Sequence, residues 1–484
     1  MNRFASVFFA FALAFFLVGT ARFFFPQWFQ GGILDFSSYY SNTSENVDPN
    51  SENTEKENSP KTAEERFLEE TPDDEVKLFE RAQQFYSHGA LSLAENDLGI
   101  LIEKNSKHKE AFVMLIKLQV QIKDFAAAET TAEKALKGNF ANDSEFIVLL
   151  GDLYLQQAKV EKARETFLTL PENSSERNFF LGLIALYDGK YDEAENMIQK
   201  TTDASKYKTR SDILLAAFKE FSLFPDGSPL HRDVLLAKAL NEVEQFELSL
   251  ALSKKVLVEN PGYRDAWIVN GYSYLALRRP EFAQNAFEQA YEIDPANTFA
   301  SYFLGIAYKK LRDYDRALSF FDRALKNGFE PPQEVMSEIA DIYYLQGNYE
   351  LAFQEYEDML KKFGGTEEEF VRPMNIVLTF LQKPEMGILL GNLAIESHPT
   401  DPMSFNLRGW AYLENGNLEL SEKDLQKSLA LDANFVPAKL NMGILREKQG
   451  RLEEALDLYE YVYKADPLSA IGEKAVEKYN ALLK

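Results

Sequence analysis

Residues Arg264–Asn297 read RDAWIVNGYSYLALRRPEFAQNAFEQAYEIDPAN, and this stretch decides how the rest of the chain is read. Trp267, Gly271, Tyr274, Ala283, Phe287, Ala290 and Pro295 stand at positions 4, 8, 11, 20, 24, 27 and 32 of a unit of about 34 residues. The next unit, from Thr298, repeats Gly305, Tyr308, Ala317, Phe321 and Ala324 at the same spacings. Such a unit suits two helices of about 13–15 residues joined by short turns. Small residues at 8 and 20 let the two helix axes cross closely, and the aromatics at 4, 11 and 24 fill the flanking space. Glycine at 15 suits a left-handed turn that ends the first helix, and proline at 32 stops the second. A single pair cannot bury its own apolar faces, so the units must stack.

Extended outward, the register begins units at Glu75, Lys109, Ser144, Ser175, Leu230, Arg264, Thr298, Gln333, Glu368, Pro402 and Val436. Position 20 is then Ala94, Ala128, Ala163, Ala194, Ser249, Ala283, Ala317, Ala352, Gly387, Ser421 and Ala455, all small. Position 8 is small except at Ile116 and Asn375, and position 15 is glycine in the units holding Gly89, Gly189, Gly347, Gly416 and Gly450. The pattern resembles the tetratricopeptide repeat. That resemblance implies an all-α fold, a right-handed superhelix (solenoid) of stacked antiparallel helix pairs.

The organisation expected along the chain has six parts. Residues 1–36 hold the uncharged apolar run Phe4–Ala21 and the aromatic cluster Phe23–Phe29, which fits a transmembrane anchor with an interfacial belt. A cleaved signal peptide ending near Ala21 is the competing reading. Arg3 before the run places the N-terminus inside and the repeats on the extracytoplasmic side; with cleavage the product is secreted. Residues 37–74 are an acidic linker too poor in aliphatic residues to fold. Residues 75–208 form an N-terminal repeat block. The period then fails over 209–229, an irregular helix (about Ser211–Phe224) and the turn Pro225–Pro229. Residues 230–469 form a C-terminal block, and 470–484 a capping helix.

Composition narrows the partners. The net charge of −24 argues against a nucleic-acid partner and against adsorption to anionic lipid, leaving membrane contact to the N-terminal helix. The chain has no cysteine, and its four histidines, His88, His108, His231 and His398, lack ligand spacing, so neither a metal nor another cofactor is expected. No phosphate loop, nucleophile elbow or metalloprotease motif occurs, and the chain does not read as an enzyme.

The resemblance implies where a protein or extended peptide would bind. In that family the first helices line a concave face through positions 2, 5, 9 and 12. Carried over, the candidate groove residues are Asp265, Ile268, Tyr272, Phe299, Tyr302, Lys309, Asp341, Tyr344, Asn406 and Trp410. Two ligand-specific patterns of the family are missing. No consecutive units supply the lysines, asparagines and arginine of a carboxylate clamp, and position 6 carries no asparagine ladder. The reading is therefore an interaction scaffold, with a non-catalytic subunit of an envelope assembly or a secreted binder as alternatives.

Overall fold

The computed structural model describes residues 74–201, 205–223, 227–467 and 469–483. The expected N-terminal span, belt and most of the acidic linker lie outside the described residues. Those that are described form twenty-four α-helices and no strand. In chain order the pairs are α1 (Glu75–Ser87) and α2 (Leu91–Lys104), α3 (Lys109–Gln121) and α4 (Phe125–Lys137), α5 (Ser144–Gln156) and α6 (Val160–Leu168), and α7 (Ser175–Tyr187) and α8 (Tyr191–Gln199). A single helix, α9 (Lys208–Ser222), follows. Pairing resumes with α10 (Pro229–Glu242) and α11 (Phe246–Glu259), α12 (Arg264–Ala276) and α13 (Pro280–Ile293), and α14 (Thr298–Lys310) and α15 (Tyr314–Lys326). It continues with α16 (Pro332–Leu345) and α17 (Tyr349–Phe363), then α18 (Val371–Asn375) and α19 (Pro384–Ser397). The last elements are α20 (Pro402–Glu414) and α21 (Leu418–Leu431), α22 (Val436–Lys448) and α23 (Leu452–Ala465), and α24 (Ala470–Leu482). Among the described residues no helix is long and apolar enough to cross a membrane.

Every pair breaks at the same place. Position 15 has positive φ in all eleven units, between 53° and 80°. Five of these residues are the glycines named above; the others are Lys123, Ala158, Glu244, Arg278, Arg312 and Gln382. The left-handed residue ends the first helix whether or not it is glycine, so the units with weak motifs share the geometry of the strong ones. Some starts carry a side-chain cap: Asn297 accepts from the Ala300 amide (2.8 Å) and Asp401 from the Ser404 amide (2.8 Å), whereas α12 and α13 start without one.

The crossing has a more specific basis than two small residues. Position 20 does lie on position 8: Ser249 Oγ donates to the Ala237 carbonyl (2.7 Å) and Ser421 Oγ to the Gly409 carbonyl (2.8 Å). Where position 8 is glycine, however, the side chain that a Cβ would meet is residue 24. A Cβ on Gly151, Gly271, Gly305 or Gly443 would stand 2.3, 2.6, 2.5 or 2.7 Å from the ring of Phe167, Phe287, Phe321 or Tyr459. The two exceptions obey the same volume rule in reverse, since Ile116 and Asn375 accompany the small residues Ala132 and Gly391 at position 24.

Glu95–Val335 forms one compact body, and the described residues 74–94 and 336–483 form another. Inside the first body the inserted α9 changes the course of the array. Tyr207, at its N-cap, stacks on Phe179 of α7 (centroids 5.1 Å apart), and the Arg210 guanidinium lies over the same ring. Helix α11 then packs on α5 and α7. Gln245 Nε2, buried at the start of α11, donates to Asp152 of α5 (3.0 Å).

In the second body the unit from Glu368 lacks a regular first helix. A 3-10 turn (Glu368–Phe370), α18 and a π-helix (Ile376–Phe380) replace it. Pro373, in the middle of this stretch, has no amide to donate to the preceding turn. Helix α1 also belongs to this body, where His88 Nε2 pairs with Asp466 Oδ1 at 2.6 Å.

Candidate concave-face site

Positions 5 and 12 differ sharply between units of the first body, whereas position 2 is half-buried or exposed throughout and position 9 is mixed. In the units from Ser144 and Ser175, Val148, Leu155, Phe179, Leu183 and Leu186 are all buried. Tyr207, Arg210 and α11 account for this, since they pack on α5 and α7. In the units from Arg264 and Thr298, Asp265 is exposed, while Ile268, Leu275, Phe299, Tyr302, Ile306 and Lys309 are half-buried. The first face keeps partial exposure only at Glu145, Asp152 and Glu176, so the second is the more accessible of the two.

Two of the expected groove residues are interior. Tyr272 is 4 % exposed, edge-on to Phe303 (6.0 Å) and near Phe246 (6.4 Å), and burial pushes its hydroxyl pKa up. It packs between units and offers little to a ligand. Asn406 is 3 % exposed and accepts from Asn441 Nδ2 at 2.9 Å, an amide pair that joins two consecutive units. Both follow from bulky or polar neighbours in the adjacent unit closing over the position.

The remaining candidates keep some surface but also have internal partners. Tyr302 stacks on Phe329 (4.4 Å) and Phe299 meets the same ring edge-on (5.7 Å). Asp265 accepts from Arg264 Nε (2.7 Å). In the second body Asp341 pairs with Arg372 and accepts from the Tyr356 hydroxyl, whose pKa burial pushes up. The Arg372 guanidinium sits 5.7 Å from the Tyr344 ring. Tyr344 also touches Tyr349 (5.7 Å) and Phe380 (5.8 Å), and Trp410 donates to Glu414 Oε1 (3.3 Å). Asp341 and Tyr344 thus sit in a polar–aromatic cluster that the π-helix completes through Phe380.

Sequence reasoning passed over Lys238 and Asn241, positions 9 and 12 of the unit from Leu230, which the same register identifies. Burial lowers the Lys238 pKa and raises that of Glu242 one turn later, with Glu220 and Asp265 also acting on the lysine. Asn241 is buried, donates to the Val269 carbonyl (3.2 Å) and accepts from Ser273 (2.8 Å), so it joins units. Phe329 and Arg372 were also missed. The first lies outside positions 2, 5, 9 and 12, and the second lies in the unit with the irregular first helix. Among the described residues no three His, Asp or Glu are placed to hold a metal ion.

Successive helix pairs, a left-handed break at one position and unit-on-unit packing define a helical-repeat solenoid. The model of the family described as Tetratricopeptide repeat matches residues 113–177, 268–328, 302–365 and 394–470. The described chain is an array of tetratricopeptide repeats. It is similar to human Tetratricopeptide repeat protein 16, with 22% identity over 394 residues, 77% of this chain and 41% of that protein. A shorter match, 35% identical over 83 residues, is to Anaphase-promoting complex subunit 3 of Schizosaccharomyces pombe (17% of this chain, 12% of that one). The chain thus spans about two fifths of the length of the first of these relatives. Among solved structures, yeast Tom70 matches with TM-score 0.33 and 16% identity, covering 84% of this chain and 95% of that one. The C-terminal part of a Cytophaga hutchinsonii repeat protein matches with TM-score 0.43 and 14% identity, covering 52% and 99%.

Proposed function

We propose that the chain is a non-catalytic scaffold that binds a protein or extended peptide along the concave face of the units from Arg264 and Thr298. The observation that carries this reading is the contrast at positions 5 and 12: buried in the units from Ser144 and Ser175 (Val148, Phe179, Leu155, Leu186), half-buried in those from Arg264 and Thr298 (Ile268, Tyr302, Leu275, Lys309). Half-buried aromatic and aliphatic side chains on a rigid scaffold are the kind of surface from which binding hot spots are drawn. The apolar run Phe4–Ala21 supports a membrane anchor that displays the array on the extracytoplasmic side; a secreted form follows if the run is cleaved. A second reading, a non-catalytic subunit of a larger assembly, draws on the match to a protein whose name makes it a complex subunit.

The test is crosslinking and affinity capture with the full-length chain, followed by measured affinity of the captured partner. Ile306→Ala and Asp265→Lys change the open face without touching residues at the helix crossings. Asn285→Ala and Gln289→Ala, exposed on α13, serve as controls. Gln284 and Glu288 are unsuited to that purpose, because Gln284 Nε2 bonds Glu288 (2.9 Å) and Glu288 in turn accepts from the Tyr308 hydroxyl (2.5 Å) of the next unit. Loss of affinity by about tenfold in the groove variants and not in the controls is expected. Loss in the controls alone would move the binding surface to the second helices.

A further inference from the structure

Position 15 is left-handed in every unit, and side chains disfavour that conformation. Glycine serves at Gly347, Gly416 and Gly450, yet Lys123, Arg278 and Arg312 stand there at φ 64°, 57° and 62°. All three are cations in a chain of net charge −24. The first body gathers them on one edge. The turn after α3 lies against the turn after α12, where Lys123 Nζ donates to the Leu277 carbonyl (2.8 Å) across 154 residues of sequence. Burial lowers the Lys123 pKa, and the Arg278 and Arg279 charges lower it further, so the spot is already electropositive. Helices α12 and α14 pack together, which sets Arg278 and Arg312 in a row at the spacing of stacked units.

Neighbouring cations are neutralised, but these are not. Arg279 pairs with Glu247 (3.0 Å) and Arg316 with Asp313 (2.5 Å). Arg278, Lys310 and Arg312 are exposed and have no ion pair among the described residues. Exposed acids interrupt the edge: Asp124, Glu281 and Asp315 stand near the cations in sequence, and Glu244 occupies position 15 in the unit before Arg278. A continuous polyanion such as a lipid surface or nucleic acid would meet those acids, whereas a peptide with spaced carboxylates would not.

We propose that the turn edge bearing Lys123, Arg278, Lys310 and Arg312 docks an acidic, extended segment of a partner protein, separately from the concave groove. Stacked helices lie about 8–10 Å apart, so carboxylates on about every third residue of an extended strand match the row.

The probe is a fluorescent peptide of four Glu-Gly-Gly repeats, titrated against the full-length chain by anisotropy at about 50 mM and about 300 mM salt. The wild type should bind at the lower salt and release at the higher. The triple variant Lys123→Gly, Arg278→Gly, Arg312→Gly should lose about tenfold or more in affinity while melting no lower than the wild type, because glycine relieves the three turns. Arg278→Lys with Arg312→Lys should bind as the wild type does. The proposal is overturned if the wild type ignores the peptide at low salt, if the triple variant binds equally well, or if it melts lower than the wild type. Binding of phosphatidylserine vesicles in place of the peptide would overturn it in favour of a lipid surface.

Discussion

Gly271 and Phe287 share one volume: a Cβ on Gly271 would stand 2.6 Å from Cε1 of the Phe287 ring. Helix propensity alone favours Gly271→Ala by about 1 kcal/mol. Overpacking against the ring opposes it by about 1–3 kcal/mol, so the substitution should be neutral to destabilising, and Phe287→Leu added to it should recover part of the loss. Thermal melting of the single and double variants reads this directly. A single variant that melts higher than the wild type would mean that the ring does not need the space.

The left-handed turns make a second prediction, of opposite sign at equivalent positions. Ala158 has φ 56° and Gly347 has φ 75°, and nothing stands within 4 Å of a Cβ built on Gly347. Ala158→Gly should stabilise by about 0.5–1 kcal/mol, and Gly347→Ala should destabilise by about 1 kcal/mol. Denaturant midpoints shifting together in one direction would contradict the shared geometry.

His88 and Asp466 give the second body a pH dependence. The hydrogen bond to Asp466 raises the His88 pKa against the effect of burial. Burial would raise the Asp466 carboxyl, but the hydrogen bonds from His88 and Ser469 outweigh it and hold the pKa below the ordinary value. The histidine's contribution is present below its unfolded pKa, about 6.5, and is lost as pH rises through the elevated folded value. The aspartate's contribution is present above about 3.9 and is lost as pH falls through the depressed folded value. The pair therefore stabilises most between about pH 4 and 6.5. The melting difference between wild type and His88→Gln should be largest near pH 5.5 and shrink by pH 9. A difference that stays constant over that range would rule out the pair as its source.

Much of the array is written in small residues. Ala283, Ala317 and Ser421 mark the crossings, and one register run through them meets a left-handed residue in each of the eleven units, including units with weak motifs. That Tyr272 is interior was not legible, because Phe303, which closes over it, belongs to the next unit. Nor was the amide pair of Asn406 and Asn441, which lie 35 residues apart. The filling of the groove of α5 and α7 was hidden for a different reason. It depends on where α9 sends the chain, and a period of about 34 residues carries no information about a docking set by its interruption.

The apolar run Phe4–Ala21 makes a prediction about topology. Fractionation should leave the full-length product in the membrane, with an intact N-terminus. A soluble product whose first residue lies near Arg22 would replace the anchor with a cleaved signal.

The absence of native cysteine allows a direct test of which concave surface is available. Single cysteines can be placed at matched positions in the full-length chain: Val148→Cys and Ile268→Cys at position 5, Leu155→Cys and Leu275→Cys at position 12. Val148 and Leu155 are 7 % and 1 % exposed, whereas Ile268 and Leu275 are half-buried. Labelling rates with a thiol reagent under native conditions decide the matter. The account predicts that the cysteines at 268 and 275 react faster, by about tenfold or more, and that bound partner slows these two alone. Equal rates within each matched pair, or faster labelling at 148 and 155, would contradict it.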